Sequence, residues 1–255
     1  MPLLVALVGL IVGVLTTHLA EALMTRRPLS RPRCAYCTAP SPPDQWSTAF
    51  AVVAGQWQCH ACGAGLRWPR LAGELFVAVT WGLFVAIYGL HPRVIYALLT
   101  MLPLAMIMVT DLETRTIPNR IILPAIGVMA IAGALWGPAM PAIGRERWWI
   151  ALAGGLIGFV ILQVLVYVGT TLLGDGALGE GDITLATYVG LVVGFPWILE
   201  ALVLTFLFGG VGATLVLLTR RGGWRTAIPY GPFIILGCAV TQLWGLAIVT
   251  WYFNL

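Results

Sequence analysis

Long apolar stretches separated by short polar segments make up most of this chain. A membrane-spanning helix needs about 20 apolar residues, and runs near that length recur from one end of the sequence to the other. They predict eight helices, near residues 2–24, 72–90, 94–110, 119–137, 148–173, 183–195, 197–219 and 227–251. The run at 183–195 is short and ends at Phe195-Pro196, so it is either a tilted short span or a re-entrant piece.

The composition agrees with this pattern. Of the 255 residues, 60% are hydrophobic and 9% are charged, whereas a soluble globular domain has about 25% charged residues. We therefore predict an all-α polytopic membrane protein. The net charge of +4 is small, comes from arginine alone and is scattered along the chain, so we expect no nucleic-acid partner.

The arginines give the predicted bundle an orientation. With the amino terminus outside and eight crossings, 11 arginines fall in cytosolic segments and three fall outside. Arginine and lysine are enriched in cytoplasmic loops, so this arrangement is favoured. If residues 183–219 were one crossing, the split would drop to 8 against 6. We expect a multi-pass protein of the cytoplasmic membrane.

Three segments are predicted along the chain. Residues 1–24 have no basic residue before the apolar run, and Arg26 and Arg27 follow it, which is typical of a retained anchor helix rather than a cleaved signal. Residues 25–70 are the one long polar segment and the candidate for a small cytosolic domain. Residues 71–255 form the membrane-embedded domain.

Four cysteines in the polar segment predict a metal site. The sequence has CAYC at Cys34–Cys37 and CHAC at Cys59–Cys62, with 21 residues between the pairs. Two such pairs can hold Zn²⁺ with four thiolates in a tetrahedron. The alternatives are two disulfides, which a cytosolic location disfavours, or His60 in place of one cysteine. The metal would be structural, because so short a segment buries little core on its own.

Two aspartates are unusual because they adjoin apolar helices at the same face. Asp111 ends the third predicted helix and Asp182 starts the sixth, both on the cytosolic side. Paired carboxylates can share a proton, so that one acts as a base toward water and the other as an acid toward a carbonyl oxygen. This pattern indicates aspartic protease chemistry. The alternative is that both residues belong to ordinary polar turns at helix ends.

Other acidic residues need less explanation. Glu21 and Glu74 lie near the cytosolic ends of their helices and are expected to reach water or pair with nearby arginines. Glu200 lies at the outer interface and is expected to be solvated. In GEGD, Gly179 and Gly181 remove side chains before Asp182, which would let a substrate backbone approach and allow a positive φ.

Taken together, these motifs resemble the type IV prepilin peptidases, the bifunctional leader peptidases and N-methyltransferases of pilus and type II secretion systems. The family pattern has two C-x-x-C pairs 21 residues apart, an Asp followed by I-P-N/D, a G-x-G-D-x-K segment and a late I-P-F-G-P. In the same order this chain has Cys34, Cys37, Cys59 and Cys62, DLETRTIPN from Asp111, GEGDIT from Gly179, and IPYGP at Ile228–Pro232. The resemblance covers nearly the whole chain.

The resemblance implies an aspartyl peptidase with Asp111 and Asp182 as its catalytic pair. It implies cleavage of prepilin or pseudopilin leaders at the cytosolic membrane face, and methylation of the new amino terminus from S-adenosylmethionine. Three features depart from the family pattern: Thr184 replaces the usual Lys, Tyr230 replaces the usual Phe, and the segment around His18 lacks the Asn often found there. One alternative is a peptidase that does not methylate, and another is an ion- or proton-coupled transporter with a zinc docking domain.

The expected partners follow from this resemblance. They are prepilin or pseudopilin substrates and membrane lipid. Asp175, Glu180 and Asp182 lie in one loop without a compensating arginine, a pattern that would attract a basic leader. The alternative for Asp175 and Glu180 is simple solvation.

Overall fold

The computed structural model of the protein describes residues 1–25, 32–34, 36–140, 148–173, 179–219 and 229–253. Over these ranges the chain is helical, with one 3₁₀ turn at Pro43–Gln45 and two isolated β-bridges. The helices are α1 (Pro2–Thr25), α2 (Thr48–Val53), α3 (Trp68–Tyr88), α4 (Pro92–Thr114), α5 (Asn119–Trp136), α6 (Trp148–Leu173), α7 (Glu180–Val193), α8 (Trp197–Leu218) and α9 (Gly231–Phe253).

Seven of the described helices, all except α2 and α7, are long and apolar enough to cross a membrane. Their outward faces carry many exposed large apolar side chains, as expected for contact with lipid. The predicted all-α polytopic bundle is therefore confirmed, and the helices fit a multi-pass protein of the inner membrane.

Helix α7 is the short element of the bundle. Its 14 residues correspond to a length of about 21 Å, compared with about 30 Å for the hydrocarbon layer of a bilayer. The helix packs against α5, α6, α8 and α9, and most of its side chains are buried. The sixth predicted helix thus exists as an internal element of about two-thirds of the length of a full span.

The two predicted aspartates lie within helices rather than beside them. Helix α4 continues to Thr114, beyond the predicted end at residue 110, so Asp111 is in its last turn. Helix α7 begins at Glu180, before the predicted start at residue 183, so Asp182 is in its first turn. Their backbones are consequently fixed by helical hydrogen bonds.

Glycines bring α6 and α7 into backbone contact. A Cβ on Gly154 of α6 would collide with the carbonyl of Gly190 of α7, and a Cβ on Gly190 would collide with the carbonyl of Gly154. Gly158 faces the carbonyl of Ala186 in the same way. Small residues at such interfaces let helices approach closely in a membrane. The position of α7, and with it Asp182, is set by this contact.

Helix α9 connects the helices that carry the two aspartates. It packs against both α4 and α7, and its side chains from Ile234 to Leu243 are largely buried. Helix α4 is tied to α7 directly as well, because the hydroxyl of Tyr188 donates to the carbonyl of Thr100 at 2.9 Å. The three helices contribute much of the buried core of the bundle.

Two acidic residues are placed differently from the sequence prediction. Glu74 of α3 is fully buried and pairs with no arginine in the described ranges. Its carboxylate accepts hydrogen bonds from the Ser47 hydroxyl and the N–H groups of Thr48 and Ala49. It thereby caps α2 and fixes the cysteine-containing segment to α3. Both carboxylate oxygens of Glu200 are buried against Gly245 rather than solvated, without a hydrogen-bond partner among the described residues.

An ion-pair network joins three helices at the end of the bundle that carries Asp111. Glu21 of α1 pairs with Arg67 at 3.1 Å and also with Arg70 of α3, as the sequence predicted. Arg67 pairs in addition with Glu113 of α4. Because these groups are only partly exposed, water screens them less than an isolated surface pair.

Candidate active site

Asp111 is held by the start of α9. Its side chain is 5% exposed, and its Oδ2 accepts a hydrogen bond of 3.0 Å from the backbone N–H of Gly231. A Cβ on Gly231 would lie 2.7 Å from that oxygen, so only glycine allows the approach. Helix α4 ends just beyond, where Arg115 adopts a left-handed conformation and donates its N–H to the carbonyl of Asp111.

Asp182 is held in a similar way by its own helix start. Its side chain is 7% exposed, and its Oδ2 accepts a hydrogen bond of 3.1 Å from the N–H of Gly179, the residue that precedes α7. A carboxylate in the first turn of a helix interacts favourably with the unpaired N–H groups there. Each aspartate therefore has one oxygen fixed by a backbone N–H.

The two carboxyl groups influence each other. Burial raises the pKa of Asp182 to about 6, and the negative charge of Asp111 contributes to the increase, while the Gly179 N–H opposes it. The two predicted acids, which are 71 residues apart in sequence (182 − 111), therefore lie within electrostatic range of each other. A carboxyl group with this pKa can hold a proton near neutral pH, as an acid catalyst requires.

Tyr230 lies directly before α9, beside this pair. Its hydroxyl is buried and has no hydrogen-bond partner within the described part of the chain. Burial and the charge of Asp182 raise the pKa of Tyr230 to about 12, so the hydroxyl keeps its proton. Tyr230 belongs to the late IPYGP motif, but no role was predicted for it from the sequence.

The structure describes three of the four residues that were predicted to support the site around Asp182. Gly179 has a φ of −85°, and neither it nor Gly181 is among the described glycines with positive φ, so the expectation of a left-handed turn is wrong. Gly181 is required for packing, since a Cβ there would lie 2.9 Å from the Cβ of Ile117. Glu180 is exposed. Asp175 lies outside the described residues.

The cysteines form a compact cluster built from two matching turns. Cys34 N–H donates to the carbonyl of Ala39 at 2.9 Å, and Cys59 N–H donates to that of Ala64 at 2.8 Å. The residue four positions after the first cysteine has a positive φ in each turn, 58° for Thr38 and 70° for Gly63. The repeated geometry turns all four sulfurs toward one point, and they lie within 4.8 Å of one another.

This cluster fits a tetrahedral metal ion. The Sγ atoms of Cys34 and Cys62 are 3.7 Å apart and those of Cys37 and Cys59 are 3.8 Å apart, too far for disulfides. Four sulfurs at the Zn–S distance of 2.3 Å would be separated by about 3.8 Å. The four cysteines could therefore hold a metal, and His60 is not needed as a ligand.

Backbone groups favour thiolates at the same site. The pKa of Cys34 is lowered to about 6, mainly by a hydrogen bond from the backbone N–H of Cys37. A hydrogen bond from the N–H of Cys62 lowers the pKa of Cys59 in the same way. Although the Ala64 N–H favours its thiolate, the neighbouring sulfurs raise the pKa of Cys62 to about 12. A cation between the sulfurs would remove that repulsion.

Sequence reasoning missed the groups that position the aspartates. The N–H of Gly231 and the pairing of Glu113 with Arg67 are contacts between distant segments, which no local pattern reveals. The late IPYGP motif was the available signal, because it contains both Tyr230 and Gly231.

Residues 97–214 match the model of the type IV leader peptidase family, a stretch that includes Asp111 and Asp182. The prepilin leader peptidase/N-methyltransferase of Bacillus subtilis (strain 168) is 25% identical over 88% of this chain and 86% of its own length. The protein of the same description from Legionella pneumophila is 22% identical over 88% of this chain and 76% of its own. No solved structure matches.

Proposed function

Because residues 97–214 match the model of the type IV leader peptidase family, we propose that the chain is a member of that family, a membrane aspartyl endopeptidase that removes the leader from prepilins or pseudopilins. One observation carries the mechanism. Two buried carboxyl groups, each fixed by a backbone N–H, lie close enough for the charge of Asp111 to raise the pKa of Asp182. That is the arrangement in which one proton can be shared between two acids.

In this mechanism Asp182 carries the proton and Asp111 is ionised. Asp111 removes a proton from a water molecule as its oxygen bonds to the carbonyl carbon of the scissile peptide, while Asp182 donates its proton to the carbonyl oxygen. The C–N bond then breaks as the leaving nitrogen receives a proton from Asp111, and Asp182 takes a proton from the hydroxyl group that becomes the carbonyl of the product, so both acids return to their starting forms. The Gly231 N–H stabilises the ionised form of Asp111 and orients the carboxylate.

We place the site at the cytosolic face, with the amino terminus outside. The arginine distribution supports this orientation, and Arg67, Arg70 and Arg115 lie at the end of the bundle that carries Asp111. Glu180 is exposed at the start of α7, where its charge would attract a basic leader. Asp175 would add to that charge. Gly179 adds no side chain beside Asp182; among the described residues, Asp182 and Gly181 are the ones near its Cβ position.

The metal in the cysteine cluster is Zn²⁺ in this proposal, and its role is structural. Four thiolates suit Zn²⁺ and leave no open coordination position for catalysis. The ion would hold the two turns together, and Glu74 would hold the folded segment against α3.

We also propose that the protein methylates the new amino terminus. The two named relatives are described as N-methyltransferases as well as peptidases, and S-adenosylmethionine supplies the methyl group in such a reaction. A cleft beside the cysteines has polar and cationic lining that fits the carboxylate and hydroxyl groups of this cofactor. The residues that would hold it are Arg33, Tyr36, Gln45, Thr48 and Arg67.

The test is cleavage of a prepilin by purified protein in detergent. Asp111→Asn and Asp182→Asn should each reduce cleavage by at least about a thousandfold, because the remaining carboxyl group cannot be both acid and base. Folding should persist, since Asn is nearly isosteric and a neutral amide costs less to bury than a charge. Mass spectrometry of the product with S-adenosylmethionine present should detect a methylated amino terminus.

Glu200→Gln is the matched control. Glu200 is a carboxyl group buried at the opposite end of the bundle, so its variant should cleave at the parent rate. Full activity in both Asp variants would rule out the aspartyl mechanism. A parent protein that never cleaves would favour the transporter alternative, and a cleaved but unmethylated product would leave a peptidase alone.

A further inference from the structure

The side chain of Tyr230 is held rigidly at the start of α9. Its ring packs against Phe206 and Phe233, with centroid distances of 6.4 and 6.2 Å. Gly209 of α8 lies beneath the ring, so that a Cβ on this glycine would be 3.0 Å from Cε2 of Tyr230. These contacts fix the direction of the hydroxyl.

That hydroxyl is an exception among the buried tyrosines. The hydroxyls of Tyr88, Tyr96 and Tyr188 all donate to backbone carbonyls. The Tyr230 hydroxyl is buried without any partner in the described ranges. Buried polar groups are almost always hydrogen-bonded, so an unpaired one calls for a specific reason.

Its surroundings supply that reason. The next residue, Gly231, donates its N–H to Asp111 at 3.0 Å. The charge of Asp182 acts on the Tyr230 hydroxyl. Tyr230 therefore lies next to the residue that holds Asp111, and its hydroxyl is within electrostatic range of Asp182.

We infer that Tyr230 is a substrate-contacting residue whose hydroxyl donates a hydrogen bond to the carbonyl oxygen of the peptide bond being cleaved. This inference rests on the proposed peptidase function. Negative charge builds on that oxygen as water attacks, so a fixed donor stabilises the transition state more than the bound substrate. The donor keeps its own proton throughout, because the pKa of Tyr230 is about 12.

The expected effect is moderate. Asp182 protonates the same oxygen in the proposed mechanism, and the family pattern usually has Phe at this position. The hydroxyl accordingly adds to the rate without being required for it. Its loss should cost less than the roughly hundredfold or greater effect of removing an oxyanion-hole donor.

The experiment is Tyr230→Phe in the full-length protein with a prepilin substrate. We expect kcat to fall about tenfold, with KM changed less than about twofold, as for an interaction made only in the transition state. The melting temperature should stay the same or rise, because the variant removes a buried polar group that has no partner.

Tyr88→Phe is the control. The Tyr88 hydroxyl donates to the carbonyl of Leu243 at 2.8 Å, away from the aspartates, so its loss should lower the melting temperature and leave kcat unchanged. A Tyr230→Phe protein with parental kcat, or with a change in KM alone, overturns the inference. Where the parent cleaves and both Asp variants are inactive, either of these Tyr230→Phe outcomes overturns only the role of Tyr230. If the Asp variants cleave, the proposed function itself fails.

Discussion

At the scale of single residues, the proton on Asp182 controls the proposed chemistry. Burial raises the pKa of this carboxyl group to about 6, and the charge of Asp111 contributes. The acid form of Asp182 is therefore present below that pH and is lost as the pH rises through it. An ionised Asp182 cannot donate a proton to the substrate carbonyl.

The rate of cleavage should follow that titration. We expect kcat/KM, which reports the free enzyme, to fall as the pH rises above about 6, where Asp182 loses its proton. The measurement is kcat/KM for a prepilin across pH values on both sides of this pKa, with folding checked at each. A value that keeps rising above this pH would mean that Asp182 is not the acid.

The sequence was sufficient to predict Asp111 and Asp182 as the paired acids, but not the groups that hold their side chains in place. Asp111 and Asp182 are conspicuous because charge next to long apolar runs is costly. The N–H that holds Asp111 belongs to Gly231, 120 residues away, and proximity of that kind has no local signature. Glu200 was expected to meet water, yet packing against Gly245 buries its oxygens, and hydropathy cannot show such packing.

At the scale of helices, the contact of α6 with α7 positions the second acid. Gly154 and Gly190 place the two backbones against each other. Hydropathy predicted both helices but could not predict their separation, since a glycine in an apolar run looks like any other small residue. Displacement of α7 would move Asp182 away from Asp111.

Substitution at this contact should therefore affect both stability and activity. Gly190→Ala puts a methyl group into the carbonyl of Gly154, and overpacking of this kind costs about 1–3 kcal/mol. We expect a lower melting temperature and slower cleavage. Gly210→Ala in α8 is the control, because nothing lies within 4 Å of its Cβ position. Equal behaviour of the two variants would show that the contact does not determine the position of α7.

At the scale of the whole molecule, the cysteine cluster and the bundle depend on different interactions. The cluster depends on four sulfurs and two short turns, whereas the bundle depends on buried apolar side chains. Glu74 is the buried link between them, through Ser47, Thr48 and Ala49. The spacing of the cysteines predicted the cluster fully, but the link through Glu74 could not be anticipated from sequence.

Loss of the metal should consequently unfold the segment and leave the bundle. Purified protein should contain about one zinc per chain, and a Cys34→Ser, Cys37→Ser double variant should contain almost none. The helical content of the bundle should persist, while limited proteolysis between α1 and α3 should become faster. The matched control is Cys238→Ser, whose cysteine lies in α9 outside the cluster. Full zinc content in the double variant would contradict the proposed site.

The length of α7 bears on how deep Asp182 lies in the membrane. A helix of about 21 Å falls about 9 Å short of the hydrocarbon thickness, so at least one of its ends must lie below the level of the lipid headgroups. The end with Glu180 and Asp182 needs water for hydrolysis. A hydrated recess, or a local thinning of the bilayer, must reach down to it. In the proposed peptidase, the scissile bond of the substrate would have to reach this recess.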